Sequence, residues 1–490
     1  MKKLLWLLVI ILMLGVVGVA AHAEEQQRSL TLMVYMCGSN LESAYGSASA
    51  DIQEMLESGF QDSRISVLVM AGGEKTRNRW FDAGNTAIYE IGAGKSRKVW
   101  NADRMSMGNR ETLTQLLRFG ADRYPAEKYA LILWDHGGGP MEGVCWDELF
   151  SMDNLSLHDL TEGLRLADYP EKLSWIGFDA CLMCTAEVAK AVAPYAEYMI
   201  GSQETEPASG WNYAFLKGLE QDRNGAETGQ RVVDSYFDSL RDSRDLLTMA
   251  CVDLGKIDAL LESMDAFFNP LGSTISDKTF SDVSGVRKAS TGFGQAVRAV
   301  GEDGYDLVDL GDLISRFGKE DVELRQALQD TVVVSRSNRE GAGGLSVYHP
   351  FVNKRKYLES WRDDYRALEF SDGYARYLRD CGETRLSMTS LDGGEPFEAA
   401  RDAIVSQIDR GYPVPTLVLN HRDKRFRDYV WHWFLINGYD ASDQAFLVKA
   451  VTYSSYEWLD LRALWDTGHE RRGGFVLYHL DEGKETDPLL

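Results

Sequence analysis

Short apolar runs alternate with segments of helical periodicity along the first half of the chain. Between these runs, several segments space their apolar side chains three and four residues apart, as on one face of a helix. Continuous apolar strands separated by helices are typical of a parallel sheet that is covered on both faces. The pattern therefore predicts an α/β fold. The apolar runs lie at residues 30–36, 65–70, 129–134, 173–178, 198–202 and 247–252, and the helical segments at 48–58, 110–123, 157–166 and 182–192.

The pattern changes twice in the second half of the chain. From about residue 254 it is mostly helical, interrupted by the β-rich segment at residues 343–348. Beyond residue 381, tryptophans crowd into a short β-rich segment at positions 431, 433, 458 and 465. We therefore predict an α/β domain over residues 24–255, a mostly helical extension of it over residues 256–382, and a small α+β domain over residues 383–490.

The first residues have the pattern of a secretory signal peptide. Lys2 and Lys3 precede an apolar stretch at residues 4–20, and Ala21-His22-Ala23 then supplies a small-x-small cleavage site. An uncleaved membrane anchor is the alternative, since the stretch approaches the length of a membrane span. Because the Ala-x-Ala site stands where signal peptidase cuts, we expect residues 1–23 to be removed and the protein to be secreted or extracytoplasmic.

The amino-acid composition and net charge limit the kinds of molecule that this protein is expected to bind. The 490 residues include 52 Lys and Arg against 75 Asp and Glu, a net charge of −23, which disfavours nucleic acid and anionic membrane surfaces as partners. Hydrophobic residues at 44% exclude intrinsic disorder, and six cysteines are too few for a disulfide scaffold. We expect a monomer with no nucleic-acid partner and no membrane contact beyond the signal peptide.

Two turns at strand ends carry the residue types of acyl-transfer chemistry. The third apolar run ends in Asp135-His136-Gly137-Gly138-Gly139, and the fourth ends in Asp179-Ala180-Cys181, directly before a predicted helix. Neighbouring parallel strands would place His136 and Cys181 in one crevice. A thiol at a helix N-terminus has a lowered pKa, and an imidazole can serve as its base. The glycines would let backbone N–H groups face an oxyanion, so the turns favour a thioester mechanism.

Each of these residues also has a structural interpretation. His136 could stabilise a glycine-rich turn, and Asp179 could cap the helix that follows it. Cys181 and Cys184 have the C-x-x-C spacing of a redox pair, although the surrounding elements do not follow a thioredoxin-like order. A reversible disulfide between these two thiols, which would silence an enzyme, is a further hypothesis.

Several ordered motifs resemble the clostripain family of cysteine peptidases, from about residue 28 to residue 380. The motifs are VYMCGSNLE at residues 34–42, LWDHGGG at 133–139, IGFDACLM at 176–183, GSQETEP at 201–207 followed by Gly-Trp at 210–211, and GLSVY at 344–348. The resemblance implies a caspase-like α/β/α sandwich and a catalytic dyad of His136 and Cys181. It also implies an oxyanion site formed by Gly137 and the Cys181 backbone, and cleavage after Arg or Lys with Asp179 in an acidic pocket.

The chain departs from the family pattern near the pocket. Family members often place another acid beside the Gly-Trp pair, but residues 207–212 contain no carboxylate. Glu204 and Glu206 lie close by, so with Asp179 and Trp211 they complete the predicted substrate-binding set. Some members depend on calcium, which makes it a candidate cofactor by resemblance, although no contiguous EF-hand loop is present and we assign no metal ligands.

The last domain has a fainter resemblance to papain-like peptidases. Gly411-Tyr412-Pro413 and the segment around His432 resemble the histidine half of such domains, but Cys381, the matching nucleophile, lies only 51 positions upstream. We expect a degenerate module, with His432 half-buried in its core. For the whole chain, the alternative to a secreted cysteine endopeptidase is a catalytically inactive caspase-like protein that binds partners at the cell surface.

Overall fold

Two compact units make up the chain, Met1–Gly382 and Glu383–Leu490, and each is described by itself. The computed structural model describes residues 28–92, 94–169, 171–274, 280–294, 304–318, 321–351, 356–382, 386–442, 445–452 and 455–480. The predicted signal peptide lies outside these ranges. No helix within them is long and apolar enough to cross a membrane.

A nine-stranded sheet, in the order β13-β10-β9-β8-β5-β1-β2-β3-β4, forms the centre of the first unit. Its five central strands, β2, β1, β5, β8 and β9, are parallel, and the strands at both edges pair antiparallel. The strands are β1 (Arg28–Cys37), β2 (Ile65–Gly72), β3 (Asn85–Gly92), β4 (Lys95–Asp103), β5 (Ala126–Trp134), β6 (Val144–Asp147), β7 (Asp153–Leu155), β8 (Trp175–Asp179), β9 (Tyr198–Gly201), β10 (Thr248–Asp253), β11 (Gly292–Phe293), β12 (Leu307–Asp309), β13 (Val332–Ser337) and β14 (Ser346–Tyr348).

Helices cover both faces of this sheet. Side chains alternate along β1, so that Met33 and Tyr35 enter one hydrophobic core while Leu32 and Val34 enter the other. The helices are α1 (Ser47–Glu57), α2 (Arg110–Arg123), α3 (Leu157–Ala167), α4 (Ala186–Val192), α5 (Gly225–Ser239), α6 (Ile257–Thr274), α7 (Phe280–Ala289), α8 (Leu310–Arg316), α9 (Val322–Thr331), α10 (Arg362–Ala367) and α11 (Asp372–Gly382). The predicted caspase-like α/β/α sandwich is confirmed.

The extension after residue 255 shares a core with the sheet. Leu260, Tyr348 and Tyr374 belong to the same buried cluster as Ile176 of β8. Its described residues are mostly helical, as predicted, but it also contributes strands: β11, β12 and β14 form a small sheet, and β13 joins the edge of the large one. The sequence pattern also missed β4, an edge strand with a mostly exposed, polar surface that offers no apolar run.

The second unit is a six-stranded antiparallel sheet, in the order β15-β20-β16-β17-β18-β19, with helices packed against its core. Its elements are β15 (Leu386–Asp392), α12 (Phe397–Asp409), β16 (Val414–Val418), β17 (Trp433–Ala441), β18 (Phe446–Val451), β19 (Tyr456–Asp460), α13 (Leu461–Trp465) and β20 (Gly473–Leu480). Trp465 is buried, but Trp431 and Trp433 are exposed. His432 between them is exposed as well, so the prediction of a half-buried core residue is wrong. The chain turns outward there, with Trp431 at a φ of +61°.

Candidate active site

The two predicted turns meet at the carboxyl edge of the sheet. Strands β5 and β8 are parallel neighbours, with Trp134 opposite Asp179 in the register. The residues that follow therefore leave the sheet side by side. A Cβ atom at Gly137 would lie 2.1 Å from the carbonyl oxygen of Cys181, so only glycine allows this close approach of the two turns. The two backbone turns that carry His136 and Cys181 are therefore in direct contact.

The His136 imidazole is half-buried and held by a side chain from another loop. Its Nε2 lies 2.8 Å from Asn40 Oδ1, and its ring centroid lies 6.1 Å from that of Trp146. Burial lowers the pKa of His136, which favours the neutral ring that a general base requires. Sequence reasoning missed Asn40, although it stands within the first family-like motif, because nothing local connects residue 40 with residue 136.

A buried carboxyl group, Asp135, fixes the loops around the imidazole. Its Oδ1 accepts a hydrogen bond from the Ser39 hydroxyl at 2.5 Å, and its Oδ2 accepts one from the Trp146 backbone N–H at 2.7 Å. Burial raises the pKa of Asp135 to about 8. Ser39 has a φ of +47°, a left-handed conformation that is unfavourable for serine and is retained here by these contacts.

The Cys181 thiol is half-buried and faces the segment after β9. Its Sγ accepts a hydrogen bond from the Glu206 N–H at 3.2 Å. Burial, with a smaller contribution from the nearby Glu206 carboxyl, raises the pKa of Cys181 to about 12. Between the described atoms of His136 and Cys181 there is no hydrogen bond. In this arrangement the thiol is protonated, so it needs a base to become a nucleophile.

The expectation of a thiol at a helix N-terminus with a lowered pKa is wrong. After Cys181 the chain turns through Leu182, whose φ is +67°, and α4 begins only at Ala186, capped by the Thr185 hydroxyl. The local sequence has helical composition, but backbone hydrogen bonds to the 202–204 segment hold residues 182–184 in an irregular conformation. Cys184 is buried, and its Sγ donates to the Gly344 carbonyl at 3.1 Å. Both thiols are free.

Asp179 lies under the loop that connects β9 to α5. Its carboxyl is 4% exposed; Oδ1 accepts a hydrogen bond from the Trp211 N–H at 3.0 Å, and Oδ2 accepts one from the Tyr213 hydroxyl at 2.9 Å. A Cβ at Gly210, where φ is +55°, would lie 2.7 Å from Asp179 Oδ1. The loop backbone therefore rests directly on this carboxyl.

A second carboxyl, that of Glu206, lies beside Asp179. Both of its oxygens are buried and form no hydrogen bond of ordinary geometry, although the Trp211 indole, the Asp179 carboxyl and the Ala180 backbone lie close enough to affect its pKa. Burial is the main cause that raises the pKa of Asp179 to about 7 and that of Glu206 well above its usual range, and the negative charge of Asp179 raises the latter further. Within the described ranges no Lys or Arg pairs with either acid. Two adjacent acids therefore share a buried space without a cation.

The other two predicted pocket residues have different surroundings. The Trp211 ring is buried against Gly177 of β8, where a Cβ would lie 2.8 Å from it. Glu204 forms an ion pair with Arg339 and accepts hydrogen bonds from the N–H groups of Gly294 and Thr205 at 2.9 and 3.0 Å. The structure thus brings Asp179, Glu206 and Trp211 together, and directs the Glu204 carboxylate elsewhere.

Two further acids approach the pocket from α1. Asp51 Oδ2 accepts a hydrogen bond from the Trp134 indole N–H at 2.7 Å, and Glu54 accepts one from the Tyr213 N–H at 2.9 Å. Burial raises the pKa of both groups, and the charge of Asp179 raises that of Asp51 further. Sequence reasoning missed them, because an acid on an amphipathic helix has no local signal of function.

In the part of the chain that the structure describes, no group of three or more His, Cys, Asp or Glu side chains is arranged to hold a metal ion.

Comparisons with known proteins agree with this architecture. The family model of the clostripain family, peptidase family C11, matches residues 34–377. Clostripain from Hathewaya histolytica is 27% identical over an alignment of 205 residues, and the match covers 35% of this chain and 37% of that protein's length. A secreted C11 cysteine protease from Bacteroides thetaiotaomicron, solved with an irreversible peptide inhibitor, superposes with a TM-score of 0.55 at 17% identity, over 70% of this chain and 100% of that one. An inactive zymogen C11 protease from Parabacteroides distasonis gives 0.53 at 21% identity, over 69% and 98% of the chains.

The matched region includes both turns, the acid pair and the extension that completes the core. The solved structures share the fold, and the family model spans more than half of the chain. This chain therefore belongs to the clostripain family of cysteine peptidases.

Proposed function

We propose that this protein is a cysteine endopeptidase in which His136 and Cys181 form the catalytic dyad. The observation that supports it best is the direct contact between the His136-Gly137 turn and the Cys181 backbone. His136 takes the thiol proton as Sγ attacks the peptide carbonyl, and then donates it to the leaving amine, which yields a thioester that water hydrolyses. The backbone N–H groups of Gly137 and Cys181 stabilise the oxyanion.

Cleavage after Arg or Lys is the specificity that we propose for this site. Asp179 and Glu206 place two buried carboxyl groups next to each other, and no hydrogen bond of ordinary geometry reaches the Glu206 oxygens. A guanidinium can pair with two carboxylates at once through its planar set of donors, which favours Arg over Lys. Glu206 would thus supply the second acid that is absent from residues 207–212.

Export of the protein is a further part of this proposal. The basic, apolar and Ala-x-Ala segments over residues 1–23 support it, and one structural relative is described as secreted. Protein or peptide substrates outside the cytoplasm would follow from such a location.

Covalent labelling would test the dyad and the pocket together. Two peptidyl acyloxymethyl ketones would be compared, one ending in Arg and the other in citrulline, a neutral group of nearly the same shape. We expect the Arg probe to modify Cys181 much faster, with the adduct located by mass spectrometry. The Cys181→Ala variant should neither react nor turn over a peptide substrate. Absence of any adduct on wild-type Cys181 would instead favour the inactive binding protein, and equal labelling rates would contradict an acidic pocket.

A further inference from the structure

The His136 ring has a hydrogen-bond partner outside the dyad. Asn40 Oδ1 lies 2.8 Å from His136 Nε2. With the Asn40 carboxamide oriented as in this structure, its oxygen accepts the hydrogen bond, and the ring nitrogen that faces it carries the proton. In the neutral imidazole the other nitrogen, Nδ1, is then the one with a free electron pair. The contact therefore selects one of the two tautomers.

The position of Asn40 is specified by the elements around the imidazole. It directly follows Ser39, whose buried hydroxyl donates to Asp135 at 2.5 Å, and it precedes the π-helical turn Leu41–Tyr45. Asp135 also accepts a hydrogen bond from the backbone N–H of Trp146, whose ring centroid lies 6.1 Å from that of the imidazole. One buried carboxyl group thus anchors both segments beside His136, the turn that carries Asn40 and strand β6, which keeps Asn40 at a fixed place beside Nε2.

We propose that Asn40 is a positioning residue of the dyad, which keeps the His136 proton on Nε2 and so makes Nδ1 the atom that exchanges protons with the thiol and the leaving amine. This inference rests on the proposed peptidase function. Nδ1 takes the Cys181 proton while Sγ bonds to the carbonyl carbon. It then gives that proton to the amine nitrogen as the carbon–nitrogen bond breaks. Nδ1 next takes a proton from water during hydrolysis of the thioester and returns it to Sγ.

A neutral amide suits this position. When the ring becomes an imidazolium, its Nε2–H donates a charge-assisted bond to Asn40, which stabilises the intermediate. A carboxylate there would also raise the pKa of the ring before substrate binds. In this structure burial alone shifts the pKa of His136, and it lowers it. Asn40 therefore orients the ring and leaves it neutral at rest.

Steady-state kinetics of three full-length variants would test the proposal. In Asn40→Ala we expect kcat on a peptidyl-Arg substrate to fall about 10- to 100-fold, with little change in KM. This loss is part of the roughly 10²- to 10⁴-fold rate enhancement that a positioned acid–base group contributes. Asn40→Asp restores the acceptor and should recover much of kcat, with the acidic limb of the kcat/KM profile moved to higher pH. Asn101→Ala, a change of an exposed asparagine on edge strand β4, is the matched control and should retain the wild-type kcat.

The tautomer itself can be measured independently of turnover. In histidine-labelled Cys181→Ala protein, the ¹⁵N shifts of the His136 ring, assigned by their loss on further His136→Ala substitution, should report a proton on Nε2. A proton on Nδ1, or an Asn40→Ala enzyme with wild-type kcat and pH profile, would overturn the proposal. If Asn40→Ala fails to fold, the ring shifts alone decide. Turnover by Cys181→Ala would refute the peptidase proposal itself, a result that no Asn40 variant can produce.

Discussion

At the scale of single residues, the main feature of the pocket is a pair of acids that are shielded from water. Asp179 and Glu206 are buried side by side, and burial together with their mutual repulsion disfavours two negative charges. An empty pocket therefore retains protons near neutral pH, and it gives them up when a cation enters. Binding of a basic side chain is consequently linked to proton release.

This linkage predicts a pH-dependent preference for Arg. The raised pKa of Asp179 is about 7. Below that pH the acid pair is mostly protonated and cannot hold a guanidinium. We expect the ratio of kcat/KM for Arg over citrulline peptides to rise between pH 5.5 and 8 and then level off. Taking the ratio cancels the titrations of His136 and Cys181, which affect both substrates. Asp179→Asn should lower the ratio at high pH. A ratio that stays constant over this range would be inconsistent with titrating pocket acids.

At the scale of elements, the described residues between the two turns lie largely in strands and helices. This segment runs through β6, β7 and α3 to β8, and α3 packs its leucines into the core under the sheet. Residues 137–164 contain no Lys or Arg, and the next basic residues are Arg165 and Lys172. Arg165 lies within α3 and pairs with Glu162, while Lys172 donates to the Ala193 carbonyl at 2.7 Å directly before a buried strand.

We therefore predict that the enzyme is active as a single chain, with no cut between His136 and Cys181. Cleavage after Arg165 or Lys172 requires local unfolding of a packed helix or of the strand end, which costs free energy. Intact-mass analysis and N-terminal sequencing of active protein should give one chain, as in the Cys181→Ala control. Two stoichiometric chains with a new N-terminus after either basic residue would contradict the prediction.

At the scale of the whole molecule, buried acids outside the pocket also bind protons in the folded state that they would lose on unfolding. Burial raises the pKa of Asp135 and Glu74 to about 8 and that of Glu187 to about 7. In the unfolded chain these groups ionise near their ordinary values, so between pH 5.5 and 8 the folded state binds more protons than the unfolded one. The net charge of −23 adds repulsion in the compact state.

We therefore expect the melting temperature to fall as pH rises from 5.5 to 8. Each such acid contributes about 1.4 kcal/mol per pH unit while it remains protonated only in the folded state. Exposed carboxylates are ionised in both states over this range and do not oppose the trend. Differential scanning calorimetry would measure it, and Glu74→Gln, which removes a buried acid whose oxygens have no partner, should reduce the slope. A melting temperature that rises toward pH 8 would refute this account.

Much of the fold follows from the sequence because its signals are local. Residues 30–36 and 129–134 form apolar runs, which indicates strands that are buried on both faces. Residues 110–123 have helical spacing of apolar side chains, which indicates a helix that is buried on one face. Strand β4 and the irregular 182–184 segment escaped prediction for the opposite reason. An edge strand needs no apolar run, and long-range hydrogen bonds override helical composition after Cys181.

His136 and Cys181 could be identified as dyad candidates from the sequence alone, because they follow strongly apolar strands and stand in family-like motifs. The groups that surround them depend on tertiary contacts. The tertiary structure directs Glu206 to Asp179 and Glu204 to Arg339, although the two glutamates are two positions apart, and it brings Asn40 to a ring 96 positions away. Side-chain direction and desolvation depend on contacts between distant segments, and these contacts, with the pKa values they set, exist only once the sheet has assembled.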